Sequence, residues 1–130
     1  MLANDGKTRR DPLTGRIIGA ALEVHRRLGP GLLESAYEAC LACELSHVGL
    51  RFARQVAVPV VYRDVALDVG YRADFVVEEA VLLELKAVER IHPIADAQIL
   101  TYLRILHLRT ALLLNFNVPR LRDGLKRFVL

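Results

Sequence analysis

The chain has no apolar run long enough to cross a membrane. Charged residues interrupt every stretch, whereas a helical span needs about 20 predominantly apolar residues in succession. The segment Met1 to Gly15 is polar and lacks the apolar centre of a secretion signal. Residence in the cytoplasm, with no membrane partner, is the expectation. Cysteine is scarce: the only two are Cys40 and Cys43, which excludes a disulfide framework, and a reducing compartment disfavours even a single bridge. Their C-x-x-C spacing falls inside a helical pattern with no second pair, so a zinc site would have to recruit histidines such as His47. Two small core residues on a helix face is the favoured reading. A glycine-rich phosphate loop is missing too, because no Gly-Lys-Ser/Thr follows Gly29-Pro30-Gly31. Repeats, linkers and low-complexity segments are absent. Charge of one sign is modest, at +3 over 130 residues. The excess sits at the ends, on Lys7, Arg9, Arg10 and Arg16 and on Arg120, Arg122, Lys126 and Arg127. Basic ends suit a phosphate backbone or simple solubility.

What is present is apolar surface, 53% of all residues, in a chain long enough for one domain with a genuine core. Residues 1–13 are expected to form a flexible segment and residues 14–130 a single domain. Thr14 can cap a helix through Ile17, Ile18, Ala21, Leu22, Val24 and Leu28. Gly29-Pro30-Gly31 stops it and starts a second helix, about Leu32 to Val48, ended by Gly49. A long alternating pattern from Phe52 to Tyr62 follows, in which Pro59 marks an edge or a bulge. Arg63-Asp64 turns the chain into Val65–Val69, which the pattern allows to continue past Gly70 into Tyr71–Val77. Glu78-Glu79-Ala80 leads to the strand Val81–Val88. Pro93 can open a third helix, with Gln98 and Tyr102 stacked four residues apart. A short strand, Ala111–Leu114, and a final edge strand, Phe128–Leu130, complete the order. It predicts an α/β fold with helices on both faces of a mixed sheet.

Within Val81-Leu82-Leu83-Glu84-Leu85-Lys86-Ala87-Val88 an acid and a base interrupt a buried strand. Strand side chains alternate, so Glu84 and Lys86 share a face. Burying such charges is costly unless they meet each other, a metal or a substrate. Asp74 lies in the preceding strand. With a three-residue loop Val77 faces Val81 and Asp74 stands opposite Glu84; a two-residue loop would send Asp74 to the far face.

An acid followed by acid-x-lysine on the neighbouring strand suits phosphodiester hydrolysis assisted by a hard cation such as Mg²⁺ or Mn²⁺. Asp74 and Glu84 would supply carboxylates and Leu85 its carbonyl. Lys86 would orient water or stabilise developing charge. Glu34 would reach in from the second helix, or stand as a solvated first-turn acid. Gln98 and Tyr102 would position Lys86 or a substrate phosphate.

The stretch Gly31-Leu32-Leu33-Glu34-Ser35-Ala36-Tyr37 resembles the motif of the GxxExxY family, small proteins assigned to the PD-(D/E)XK nuclease superfamily. The likeness continues through Leu28-Gly29-Pro30-Gly31, Tyr71-Arg72-Ala73-Asp74, Glu84-Leu85-Lys86-Ala87-Val88, Gln98-Ile99-Leu100-Thr101-Tyr102-Leu103, Leu113-Leu114-Asn115-Phe116 and Gly124-Leu125-Lys126-Arg127. It implies a restriction-endonuclease-like αβββαβ core. It also implies Asp74 and Glu84 as metal ligands, Lys86 as catalytic lysine, Glu34 as an additional helical acid, and Gln98 and Tyr102 as a Gln-x-x-x-Tyr motif. Ala73 stands where the superfamily's name has proline, a position that does no chemistry.

The expected function is a metal-dependent nuclease, with DNA ahead of RNA as substrate. Two other readings stay open. Asp74, Glu84 and Lys86 can form a buried ion-pair network without a catalytic task. The domain can be a catalytically silent nuclease-fold module that binds nucleic acid or a protein partner. A homo-oligomer is compatible with either.

Overall fold

A computed structural model describes residues 11–130. Helix α1 spans Pro12–Leu28 and α2 Glu34–His47; strands β1 Phe52–Ala57, β2 Val60–Tyr62, β3 Val65–Leu67, β4 Arg72–Val77 and β5 Val81–Lys86 follow. Helix α3 (Ala95–Leu106), strand β6 (Thr110–Asn115), a 3-10 turn (Leu121–Gly124) and strand β7 (Leu125–Val129) complete the chain.

Asp11, not Thr14, caps α1: its Oδ1 accepts from Leu13 N at 3.0 Å, and Pro12 opens the first turn. Proline is tolerated there because its missing N–H would be unpaired anyway. Thr14 lies buried inside the helix and donates its hydroxyl to Asp11 Oδ2 at 2.7 Å. Of the segment expected to be flexible, residues 11–13 thus form the cap and first turn, and residues 1–10 lie outside the described residues. Helix α1 ends at Gly29, whose φ of +69° is costly for residues with a Cβ. Helix α2 starts later than expected, at Glu34.

Five strands form the main sheet in the order β1-β4-β5-β6-β7. Strands β5 and β6 run parallel, joined through α3, and every other pair is antiparallel. The mixed α/β architecture is restriction-endonuclease-like, with the expected succession of helix, three sheet strands, helix and strand. The long pattern from Phe52 to Tyr62 does not stay in one strand. Pro59 cannot donate to a ladder, and past it β2 pairs only with β3 as a separate hairpin. Gly70, at φ +95°, likewise separates β3 from β4.

Side chains of the sheet divide between two cores. Phe75, Val77, Leu83, Leu85, Leu112 and Leu114 pack with Ile17, Ala21, Tyr37 and Leu41 of α1 and α2. Leu82, Ala111 and Leu113 pack with Ile99, Tyr102 and Leu103 of α3. Two helices therefore cover one face and α3 the other. Val77 pairs with Val81 and Phe75 with Leu83. The connection is the three-residue loop, with Glu78 and Glu79 both in the left-handed region.

Candidate active site

The β4–β5 register brings Asp74 beside Glu84, just past Phe75 and Leu83 where the backbone ladder has ended. Beyond that point carboxylates replace carbonyls. Glu84 Oε2 accepts from Asp74 N at 3.1 Å, and Asp74 Oδ2 accepts from Leu85 N at 2.7 Å. A residue's N–H and C=O leave a strand on the same side. Leu85 therefore directs its carbonyl toward β4 as well, into the gap that holds both acids.

Burial is the first cause of strain in this pair. Glu84 is 9% exposed, and its carboxyl is raised to about 8 by desolvation and then by the charge of Asp74. Asp74 is also raised, chiefly by burial, against the lowering effect of its bond from Leu85. Lys86 occupies the same face of β5, opposite Asn115 of β6. It lowers the pKa of Asp74 and Glu84 by its charge yet joins no ion pair within 4.0 Å among the described residues. Lys86 thus acts on the two acids through its charge and not through a salt bridge among the described residues.

Glu34 stands in the first turn of α2, exposed, and hydrogen-bonds to none of the three. Its carboxyl is raised by partial burial, then by Asp74. The turn that presents it is held by Tyr37. Its buried hydroxyl donates to Gly29 O at 2.5 Å and accepts from Leu32 N at 3.2 Å, and its ring stacks on Phe116. The Tyr of the Gly31–Tyr37 motif thus shapes a loop, while Glu34 carries the charge.

Gln98 and Tyr102 meet as expected: Gln98 Nε2 donates to Tyr102 Oη at 2.8 Å. Neither hydrogen-bonds to Lys86. Tyr102 is raised by burial, and the charges of Glu84 and Asp74 add to this.

A divalent cation suits this donor set. Two carboxylates held together against their repulsion, with a backbone carbonyl directed at the same gap, are hard oxygen donors short of positive charge. The expected set of four ligands is not assembled, however. Among the described residues no three His, Cys, Asp or Glu side chains converge to hold a metal ion. Asp74 and Glu84 are together, and Glu34 stands off.

A family model described as the PD-(D/E)XK nuclease superfamily matches residues 11–128. The chain belongs to this superfamily. No curated protein and no solved structure matches it. Superfamily membership brings nuclease chemistry and nucleic acid into view, with divalent cations as the general cofactor of such enzymes. No helix among the described residues is long and apolar enough to cross a membrane.

Two residues that reach Asp74 escape sequence reading. Gln55 Nε2 donates to Glu38 Oε1 at 3.0 Å and to Asp74 Oδ1 at 3.3 Å, linking α2 to β4. Glu38 also pairs with Arg54 and raises Asp74. In sequence Gln55 is an ordinary polar residue of an alternating strand. Its φ of +50°, an uncommon conformation that costs about 1–2 kcal/mol for a residue with a Cβ, becomes visible only in the fold. Arg72 pairs with Asp68 at 3.0 Å. Cys40 and Cys43 are free thiols.

Proposed function

We propose that this PD-(D/E)XK protein is a nuclease of the GxxExxY branch that hydrolyses phosphodiester bonds of nucleic acid, DNA ahead of RNA, with Mg²⁺ or Mn²⁺. The observation that carries the proposal is the Asp74–Glu84 pair, bridged where the β4–β5 ladder has ended, with Lys86 following on β5 and in no ion pair among the described residues. Asp74, Glu84 and the Leu85 carbonyl would hold the cation. When bound, it supplies positive charge that polarises the phosphodiester and acidifies water. Glu84, raised to about 8, would have to lose its proton for the cation to be held. Lys86 sets its ammonium against the charge that grows on the phosphate oxygens. Glu34, exposed in the first turn of α2, would receive or orient a water. Gln98 fixes the Tyr102 hydroxyl, which bounds the site on the α3 side.

Labelled single- and double-stranded DNA and RNA, incubated with the purified protein and Mg²⁺, Mn²⁺ or EDTA, test the proposal. Cleavage should require the cation and fall at least about 100-fold in Lys86→Ala and in Glu84→Gln. Cleavage that persists in both variants refutes the assignment. Cation binding without cleavage of any substrate favours the silent module.

A further inference from the structure

Between α3 and the segments that flank Pro59 and precede β4 lies a cleft of about 430 Å³. Tyr71, Tyr102, Gln98, Thr101, Val58 and Val60 are among its walls. Gln98 and Tyr102, the hydrogen-bonded pair of the candidate site, are part of this lining. Tyr71 stands three residues before Asp74, just ahead of β4, and is 49% exposed. Its ring rests against that of Tyr102 at 6.1 Å between centroids, and its carbonyl is tied to Val58 N at 3.0 Å. The backbone of Tyr71 is fixed, then, while its ring faces the opening.

Apolar walls, an exposed aromatic ring and a few polar groups (the Gln98 amide and the hydroxyls of Thr101 and Tyr71) describe a site for a flat, polar-edged aromatic group. A nucleobase has that chemistry. Stacking on an aromatic side chain serves any base, because each presents a π-face. A base inside a duplex is already stacked on both sides and cannot enter without being flipped out, at a cost of a few kcal/mol.

We infer that the Tyr71 cleft takes one unpaired base of a nucleic-acid strand whose adjoining phosphate lies at Asp74 and Glu84, so that the substrate is a single strand or an unpaired end. This rests on the nuclease reading for the phosphate but is tested apart from it. The cleft supplies the base contact and the carboxylate site the chemistry. Neither Tyr71 nor Thr101 is placed in the chemical step.

The experiment uses the full chain carrying Lys86→Ala and fluorescence anisotropy with Mn²⁺. The probes are a labelled deoxythymidine decamer, the same decamer with abasic positions at its centre, and a blunt duplex. The intact decamer should bind at least about tenfold more tightly than the duplex or the abasic strand. Adding Tyr71→Ala should weaken the intact decamer by about 5- to 100-fold, the range of base–aromatic stacking, and leave the abasic strand within about twofold. Tyr71→Phe keeps the ring and should retain the affinity. The abasic comparison needs no change at Tyr71, so it decides even if Tyr71→Ala folds poorly. Equal binding of intact and abasic strands, or of decamer and duplex, overturns the inference, as does failure of every probe to bind. Cleavage by the wild type with no role for Tyr71 leaves the nuclease reading standing and removes this one. Tyr71-dependent binding with no cleavage does the reverse.

Discussion

Asp74 and Glu84 each bond to the backbone of the opposite strand. Glu84 reaches Asp74 N and Asp74 reaches Leu85 N. Two carboxylates thereby stand in for the ladder bonds that β4 and β5 no longer make. The exchange opens the sheet at that point, and it requires two like charges to share a poorly hydrated gap. A cation placed there removes the repulsion, and so the same geometry has consequences for stability, pH and metal binding.

Without a cation the pair destabilises the fold. Glu84→Gln keeps the shape and an acceptor oxygen while removing one charge. It should raise the thermal midpoint at pH 8 in EDTA by several degrees, corresponding to about 1–3 kcal/mol. The same variant should lose the stabilisation that Mn²⁺ gives the wild type. Differential scanning calorimetry with and without Mn²⁺ checks both, and a lowered midpoint in EDTA would count against repulsion at this site.

The pH dependence follows from the Glu84 carboxyl, raised from 4.5 to about 8. A carboxyl raised in the folded state holds its proton there while the unfolded chain has released it. Its stabilising contribution is full below about pH 4.5 and is lost as pH climbs through about 8. The cation-free protein should lose stability over that window, and Glu84→Gln should flatten the loss. Cation binding displaces the proton, so Mn²⁺ affinity should rise about tenfold per pH unit up to about 8 and then level. Titration calorimetry at pH 6, 7, 8 and 9 measures it, and affinity independent of pH would refute the assignment.

Gln55 holds Asp74 from a left-handed backbone position. Gln55→Ala loses the amide and retains the strain, whereas Gln55→Gly loses the amide and relieves it. The glycine variant should be the more stable of the two by about 1 kcal/mol. Both should share the same drop in cleavage, about tenfold. Urea denaturation and the oligonucleotide assay separate the two effects, and equal stability would remove the strain argument.

Gly124 lies against the end of β6. A Cβ there would stand 2.2 Å from the Asn115 carbonyl oxygen, which is backbone and cannot swing aside. Gly124→Ala should cost about 1–3 kcal/mol and lower the thermal midpoint by about 3–10 °C. A midpoint within 1 °C of wild type would show that the approach of these segments is not fixed.

Tyr37→Phe keeps the stack on Phe116 but leaves Gly29 O and Leu32 N without their partner. With Gly29 half-buried and Leu32 exposed, a loss of about 0.5–1.5 kcal/mol is expected, read by urea denaturation. Unchanged stability would show that water replaces the hydroxyl.

The sequence by itself settled the alternation of β5, and with it the shared face of Glu84 and Lys86, because pleating is a local property of the backbone. It narrowed the place of Asp74 to two alternatives decided by one residue of loop length. The tertiary structure chose the three-residue loop and put Asp74 opposite Glu84. It also ended the β4–β5 ladder early, brought Glu38 and Gln55 to Asp74, and folded Tyr71 against Tyr102. Beyond Pro59 it drew β2 and β3 out of the main sheet, and at the N-terminus it gave the cap of α1 to Asp11. Most of these contacts join segments tens of residues apart, so their energies depend on where neighbouring elements pack rather than on any local pattern. Periodicity records which way a side chain points; only packing decides what it meets.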